Sequence, residues 1–256
     1  MRGQAAGRED ENVTPTSFVR SATQLATVQF VPEIWLYQVD DIYALWEQSE
    51  RHLRRAGLSP PFWGAAWPGG QALARYVLDH VALVAGRTVV DFGSGSGLVA
   101  IAAAKAGAAR VIACETDALG RAAIGLNAAA NGVPRPVCVA DIRAASPAPE
   151  VVLAGDVWYD RELASQVSSY LDTASAAGAV VLTGDIGRRY FPRGRYRCLA
   201  SYAVPASIAL EGRHAVSASV WQANPDQGTG QGVPAVRPGN EAVQDGAPVV
   251  TFPSAG

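Results

Sequence analysis

The chain is poor in the residues that build disulfide frameworks and metal sites. Its 256 residues include three cysteines, Cys114, Cys138 and Cys198, an odd number, widely spaced and without a Cys-x-x-Cys pair. That pattern argues against a disulfide framework or a zinc site. The three histidines, His52, His80 and His214, lack metal-ligand spacing, so no metal is expected. Excess charge is missing as well, with 21 basic against 23 acidic residues and a net charge of −2. A broad nucleic-acid surface needs clustered excess Lys and Arg, and no nucleic acid is expected as a partner. Lysine is nearly absent: Lys105 stands alone, and the other basic residues are arginine, which reads as the coding bias of a GC-rich genome. The longest apolar stretch, residues 98–114, is broken by Lys105, Gly107 and Arg110 and is too short and charged to span a bilayer. Residues 1–13 are polar and acidic with no apolar core, unlike a signal peptide. A cytoplasmic protein without membrane contact is expected.

What is present is a globular balance, 49% hydrophobic and 17% charged. Residues 1–17 and 223–256 are polar or rich in Gly and Pro, without a period, and are expected to be flexible tails. The domain between them, residues 18–222, opens with a helical extension. Asp40 or Asp41 caps a helix to about residue 55, with Ile42, Leu45, Trp46, Leu53 and Ala56 on one face, and Gly57 stops it. A loop rich in Pro, Trp and Gly follows over residues 60–70, then a helix over 71–80. Strand and helix patterns then alternate: strands at 88–92, 110–114, near 137, 151–154 and 180–183, and helices at 98–106, 119–131 and 162–176. Two strand-like runs, 197–204 and 215–221, have no helix pattern between them and suggest an antiparallel hairpin at one edge. The alternation predicts a doubly wound α/β fold, a mostly parallel Rossmann-like sheet covered on both faces.

The informative segment is Val89-Val90-Asp91-Phe92-Gly93-Ser94-Gly95-Ser96-Gly97-Leu98. A strand ending in a carboxylate runs into a glycine-rich turn at a helix start, where backbone approaches a ligand closely and free N–H groups bind anions. Glu115 ends the next strand, where a carboxylate grips ribose hydroxyls; Asp117 competes with it for that role. Gly95, Gly97 and Ala100 also satisfy the dinucleotide pattern Gly-x-Gly-x-x-Ala. Asp91 tilts the balance, because its charge repels a pyrophosphate and attracts an ammonium or sulfonium. Asp141 follows the third strand, placed to accept from an adenine amino group or to cap a short turn. S-adenosylmethionine is therefore the expected cofactor, held by Asp91, Gly93, Ser94, Gly95, Gly97, Glu115, Thr116, Asp141 and Ile142. A nicotinamide oxidoreductase is the alternative.

The turn, Glu115 and residues 127–132 resemble the seven-strand class I methyltransferases. Upstream, Pro60-Pro61-Phe62-Trp63-Gly64-Ala65-Ala66-Trp67-Pro68-Gly69-Gly70-Gln71-Ala72-Leu73-Ala74-Arg75-Tyr76 is narrower. It resembles the lysine methyltransferases that modify the β-subunit of electron transfer flavoprotein, and their bacterial relatives. Gly155-Asp156-Val157-Trp158-Tyr159, Gly184-Asp185 with Gly187-Arg188, and Leu210-Glu211 match too. Two positions depart from the family pattern, Trp158 standing for Phe and Ile186 for Pro.

The resemblance implies a seven-stranded sheet with an antiparallel last strand, and lysine methylation of that flavoprotein subunit or a similar protein. Another protein, such as a ribosomal protein, or a small amine are alternative acceptors; a non-catalytic cofactor-binding subunit is the alternative of another class. It implies Asp156 and Tyr159 as the catalytic pair and Trp158, Asp185 and Arg188 at the substrate. Trp67 is assigned to the cofactor's cationic sulfur by cation–π attraction. Trp67 and Trp158 have core packing as their other reading, and Asp156 a helix N-cap. Arg188, Arg189, Arg193, Arg195 and Arg197 crowd one loop with Tyr190, Phe191 and Tyr196, which fits an acidic protein surface, a nucleic acid, against which the overall negative charge counts, or a solvated hairpin.

Overall fold

A computed structural model of the chain describes residues 14–39, 41–53 and 60–224. An N-terminal portion comprises α1 (Pro15–Ala22), β1 (Gln24–Val28), β2 (Val31–Gln38), α2 (Ile42–Leu53) and α3 (Pro68–Asp79). The alternating portion follows as β3 (Thr88–Phe92), α4 (Leu98–Lys105), β4 (Arg110–Cys114), α5 (Ala118–Ala130), β5 (Val137–Val139), β6 (Val151–Gly155), α6 (Arg161–Ala176) and β7 (Val180–Asp185). It closes with β8 (Tyr196–Pro205), α7 (Ile208–Glu211) and β9 (Ala215–Ala223).

Seven strands form one sheet in the order β5-β4-β3-β6-β7-β9-β8. The first five run parallel, and β9 is antiparallel to both its neighbours. This is the doubly wound sheet that the alternation predicts, with its last strand reversed. Val89 and Val90 of β3 point to opposite faces and both are fully buried, so the strand is apolar on both faces ahead of Asp91. Val89 packs in a cluster with Leu73, Ile101 and Leu153, beneath α3 and α4. Val90 packs with Val152, Val167 and Leu171, beneath α6.

The first turn of α3 lies on the end of β7, backbone against backbone. A Cβ on Gly69 would sit 2.5 Å from the Gly184 carbonyl oxygen, and a Cβ on Gly184 would meet the Gly69 carbonyl well inside contact distance. Two facing glycines are therefore a steric requirement of this crossing.

The N-terminal portion departs from the sequence reading. The expected boundary after residue 17 falls inside α1, which Thr14 opens by accepting from the Ser17 N–H at 3.2 Å. The hairpin β1–β2 is new. Val28, Val31, Ile34 and Leu36 bury its inner side in the main core, but their spacing is neither helical nor strictly alternating. Asp41 caps α2, accepting from the Tyr43 and Ala44 N–H groups. Asp40, Ala56, Gly57 and nearly all of both expected tails lie outside the described residues.

Gly184→Ala is expected to lower the unfolding free energy by about 1–3 kcal/mol or to prevent folding. Gly70→Ala, whose new Cβ meets only Leu98 Cδ2 at 3.8 Å, is expected to leave stability unchanged or raise it by up to about 1 kcal/mol. Urea titrations of the two variants check the contrast.

Candidate active site

The order of the sheet reverses between β3 and β6. From β3 the chain winds outward to β4 and β5; from β6 it winds the other way to β7. Open sheets of this kind bind ligands outside the carboxyl ends of the strands at such a switch point. Here the glycine turn follows β3 and Asp156 follows β6.

Gly93, Gly95 and Gly97 have φ values of 66°, 53° and 82°, a region that glycine enters without strain. Asp91 lies beneath the turn and is 1% exposed. Its Oδ2 accepts from the Ser94 hydroxyl at 2.6 Å and from the Ala100 N–H at 3.0 Å. Burial raises its pKa to about 7. Glu115 holds the turn from the side of β4, its Oε2 accepting from the Gly95 N–H at 2.8 Å and its Oε1 from the Asp117 N–H at 2.8 Å. Burial raises its pKa as well. Asp117 caps α5, accepting from the Leu119 N–H at 2.9 Å, which leaves Glu115 as the carboxylate beside the turn.

Thr116 is exposed, and its carbonyl accepts from Arg121 Nη1 at 2.7 Å. Asp141 is exposed and begins a short 3-10 turn, Ile142–Ala144, by accepting from the Arg143 N–H at 2.9 Å. The Arg143 guanidinium also hydrogen-bonds to it and holds its pKa low. Ile142 is half-buried beside it.

Across the crevice, Asp156 is the one non-glycine described residue with a left-handed backbone, φ 55°. Its carboxylate is buried between two positive groups. Oδ2 accepts from the N–H groups of Gly69 and Gly70 at the start of α3. Oδ1 accepts from Arg188, at 3.2 Å from Nε and 3.1 Å from Nη2. Trp67, at the N-cap of α3, contributes no capping side chain, so Asp156 serves that helix from a distant part of the chain. This is an N-cap role, although at α3 rather than at the helix that follows Tyr159; that one, α6, is capped by Asp160.

Arg188 gathers the remaining charges. It pairs with Glu211 at 2.7 Å, and its guanidinium carbon lies 5.9 Å from the centre of the Trp67 ring. The N–H groups of Gly187 and Arg188 donate to Asp185 Oδ1 at 2.6 and 2.8 Å. Asp185 is 1% exposed, and its Oδ2 has no partner among the described residues. Burial, with the Asp156 charge adding to it, lifts the Asp185 pKa to about 6. Burial likewise raises Asp156 and Glu211. Two carboxylates thus pair with one guanidinium, and a third, Asp185, lies beside them on the backbone N–H of the same arginine. The rest of the arginine-rich loop stays outside: Arg189 lies over Tyr190, Arg193 over Trp221, and Arg195 pairs with Asp172.

Aromatic rings front this cluster. Trp67 donates from Nε1 to the Phe62 carbonyl at 2.7 Å. Ring centres are 5.7 Å apart for Phe62 and Trp67 and 5.0 Å for Phe62 and Tyr159. Phe62 and Trp63 also roof the glycine turn, since a Cβ on Gly95 would come within 3.9 Å of both. Tyr159 is 43% exposed.

Trp158 is a correction. Expected at the substrate, it is fully buried, donates to Thr183 Oγ1 at 2.9 Å and packs in the core against Phe191. The left-handed turn at Asp156 sends Val157 and Trp158 back into the core and brings Tyr159 to the surface. Glu211 and Phe62 had no assigned role, although both stand in segments that carry the family resemblance. No spacing in the sequence links either to Arg188 or Tyr159.

Comparison with known proteins gives three kinds of match. A family model described as Ribosomal protein L11 methyltransferase (PrmA) matches residues 71–183. The electron transfer flavoprotein beta subunit lysine methyltransferase of Mus musculus is 33% identical over 224 residues, covering 85% of this chain and 82% of its own. The Danio rerio protein of the same name is 33% identical over 228 residues, covering 86% of each. The solved structure of a ribosomal protein L11 methylase from Lactobacillus delbrueckii subsp. bulgaricus aligns at a TM-score of 0.45 and 19% identity, covering 62% of this chain and 81% of its own.

The raised pKa of Asp91 has a consequence for stability. A carboxyl group that is harder to ionise when folded stabilises the fold below its unfolded pKa, about 3.9. That contribution is lost as pH rises through the folded value of about 7. Asp91→Asn is therefore expected to flatten the decline in stability between about pH 4 and pH 7. Urea midpoints across that range, compared with the parent, check it.

Proposed function

The chain belongs to the electron transfer flavoprotein beta subunit lysine methyltransferase family and is an S-adenosylmethionine-dependent N-methyltransferase; on that premise we propose that its acceptor is a lysine of that flavoprotein subunit or of a similar protein. The observation that carries this reading is the cluster of Asp156, Asp185 and Glu211 around Arg188. One guanidinium does not balance three carboxylates, and burial has already raised all three pKa values. A second cation at this place, such as a lysine ammonium, relieves that imbalance.

The residues of the turn fit the methyl donor. Gly95 leaves free the space that a side chain would fill between the turn and its roof. Glu115 keeps lone pairs for ribose hydroxyls beyond the two N–H groups it already accepts. Bound there, S-adenosylmethionine supplies a methyl group on a positively charged sulfur. Asp91 beneath the turn and the face of Trp67 favour that positive charge.

The protein's own task is positioning and proton handling. A lysine with a pKa of about 10.4 is neutral in only about one molecule in 2,500 at pH 7. The carboxylate cluster draws in the charged form, and a proton must leave before the nitrogen lone pair is free. Asp156 holds the ammonium and takes or relays that proton, while the Tyr159 hydroxyl orients the amine. The half-exposed Tyr159 suits a side chain offered by a folded protein better than an enclosed metabolite.

Incubation with radiolabelled S-adenosylmethionine and purified flavoprotein β-subunit is expected to label lysine in the protein. Label confined to small molecules in a whole extract would discard the protein acceptor. Asp156→Asn is expected to lower kcat by about 100-fold or more while binding S-adenosylhomocysteine like the parent; unchanged turnover would remove Asp156 from the chemistry.

A further inference from the structure

Asn127 stands in the last turn of α5 with no exposed surface. A buried amide in a helix is unfavourable unless its groups are bonded. Both of them are. Nδ2 donates to the Ser96 carbonyl at 2.7 Å, and Oδ1 accepts from the Tyr37 N–H at 2.7 Å. Ser96 lies between Gly95 and Gly97, the two left-handed glycines that shape the second half of the cofactor turn. Tyr37 lies on β2, whose outer edge has no neighbouring strand. At the C-cap of α5, Asn131 continues the same edge: its Oδ1 accepts from the Trp35 N–H at 3.0 Å and its Nδ2 donates to the Trp35 carbonyl at 2.6 Å.

The two amides thus pair with β2 as a strand would, but only Asn127 also reaches the turn. Glycine makes the turn possible and leaves it conformationally free. The Ser96–Gly97 peptide plane is fixed on one side by the Gly97 N–H, which donates to the Ser94 carbonyl at 2.8 Å, and on the other by Asn127. We infer that Asn127 is a positioning residue for the cofactor: it sets the glycine turn in its binding geometry and anchors that turn to the β1–β2 hairpin. The inference rests on S-adenosylmethionine as the ligand of the turn and is independent of the acceptor's identity.

The test compares three variants of the full chain by calorimetric titration with S-adenosylhomocysteine and by thermal melting. Asn127→Asp keeps the acceptor for Tyr37 and replaces the donor to Ser96 by an acceptor. Asn127→Leu preserves volume and removes both bonds. Asn131→Asp disturbs the hairpin edge and the bond from Asn131 to the Asn127 carbonyl, and leaves the Asn127 side chain and the turn in place. All three are expected to melt earlier than the parent. Kd is expected to rise about 10-fold or more in both Asn127 variants, the effect of one unpaired buried group, and to stay within about twofold of the parent in Asn131→Asp. Asn127 variants that fold and bind like the parent overturn the inference. So does an equal loss of affinity in Asn131→Asp, which traces the effect to the hairpin. Failure of both Asn127 variants to fold, even in the cold, leaves Asn127 with a structural role only and overturns it too. Acceptor methylation plays no part in these readouts, so a wrong substrate assignment does not alter them.

Discussion

Buried between β6 and α3, the Asp156 carboxylate receives two helix N–H groups on one oxygen and a guanidinium on the other. Removing a charge from water is costly, and such a burial is stable only where partners of opposite sign replace the solvent. The positive end of α3 and Arg188 are those partners. Their placement in turn depends on close packing. Gly69 and Gly184 let α3 rest directly on β7, and the Asp156 N–H donates to the Gly184 carbonyl at 2.9 Å. One carboxylate therefore joins the helix, the sheet and the charged cluster. On the proposed reading the same group also meets the acceptor amine, and stability and chemistry then share one residue.

The cofactor side is built differently. Its turn consists of residues that impose little shape of their own, and the shape comes from hydrogen bonds made to it from several directions. Asp91 bonds from below, Glu115 from β4 and Asn127 from α5. Each of these three side chains lies outside the turn's own glycine run. The turn combines a bare backbone, which a ligand approaches closely, with a fixed geometry, which lowers the entropy lost on binding. The buried carboxyl of Asp91, close to its titration point at neutral pH, makes this side responsive to a cationic ligand.

Much of this was legible in the chain. The alternating sheet follows from short apolar strands separated by helical patterns, because a strand buried on both faces must be apolar throughout. The turn was legible because glycine spacing and a flanking carboxylate are local features. The hairpin β1–β2 was not: its buried residues lie on both sides of a tight turn, which breaks the period, and its outer edge is paired by side chains nearly a hundred residues away. Trp158 was misplaced for a related reason. A left-handed backbone at a non-glycine residue is invisible in sequence, and at Asp156 it decides which of the next three side chains meets solvent.

The sequence by itself determined the strand order's raw material, the glycine turn, its acidic companions and the family resemblance, since each rests on residues close together in the chain. The tertiary structure decided which carboxylates act together. Asp156 follows β6, Asp185 and Arg188 stand together at the end of β7, and Glu211 ends α7; only the packing of α3 on β7 and of α7 beside them brings Asp156 and Glu211 to the Arg188 guanidinium, next to Asp185. It also spent Asp117 on a helix cap and set Glu115 against the glycine turn. Electrostatic energy depends on distance and burial, and neither quantity exists until the chain has folded.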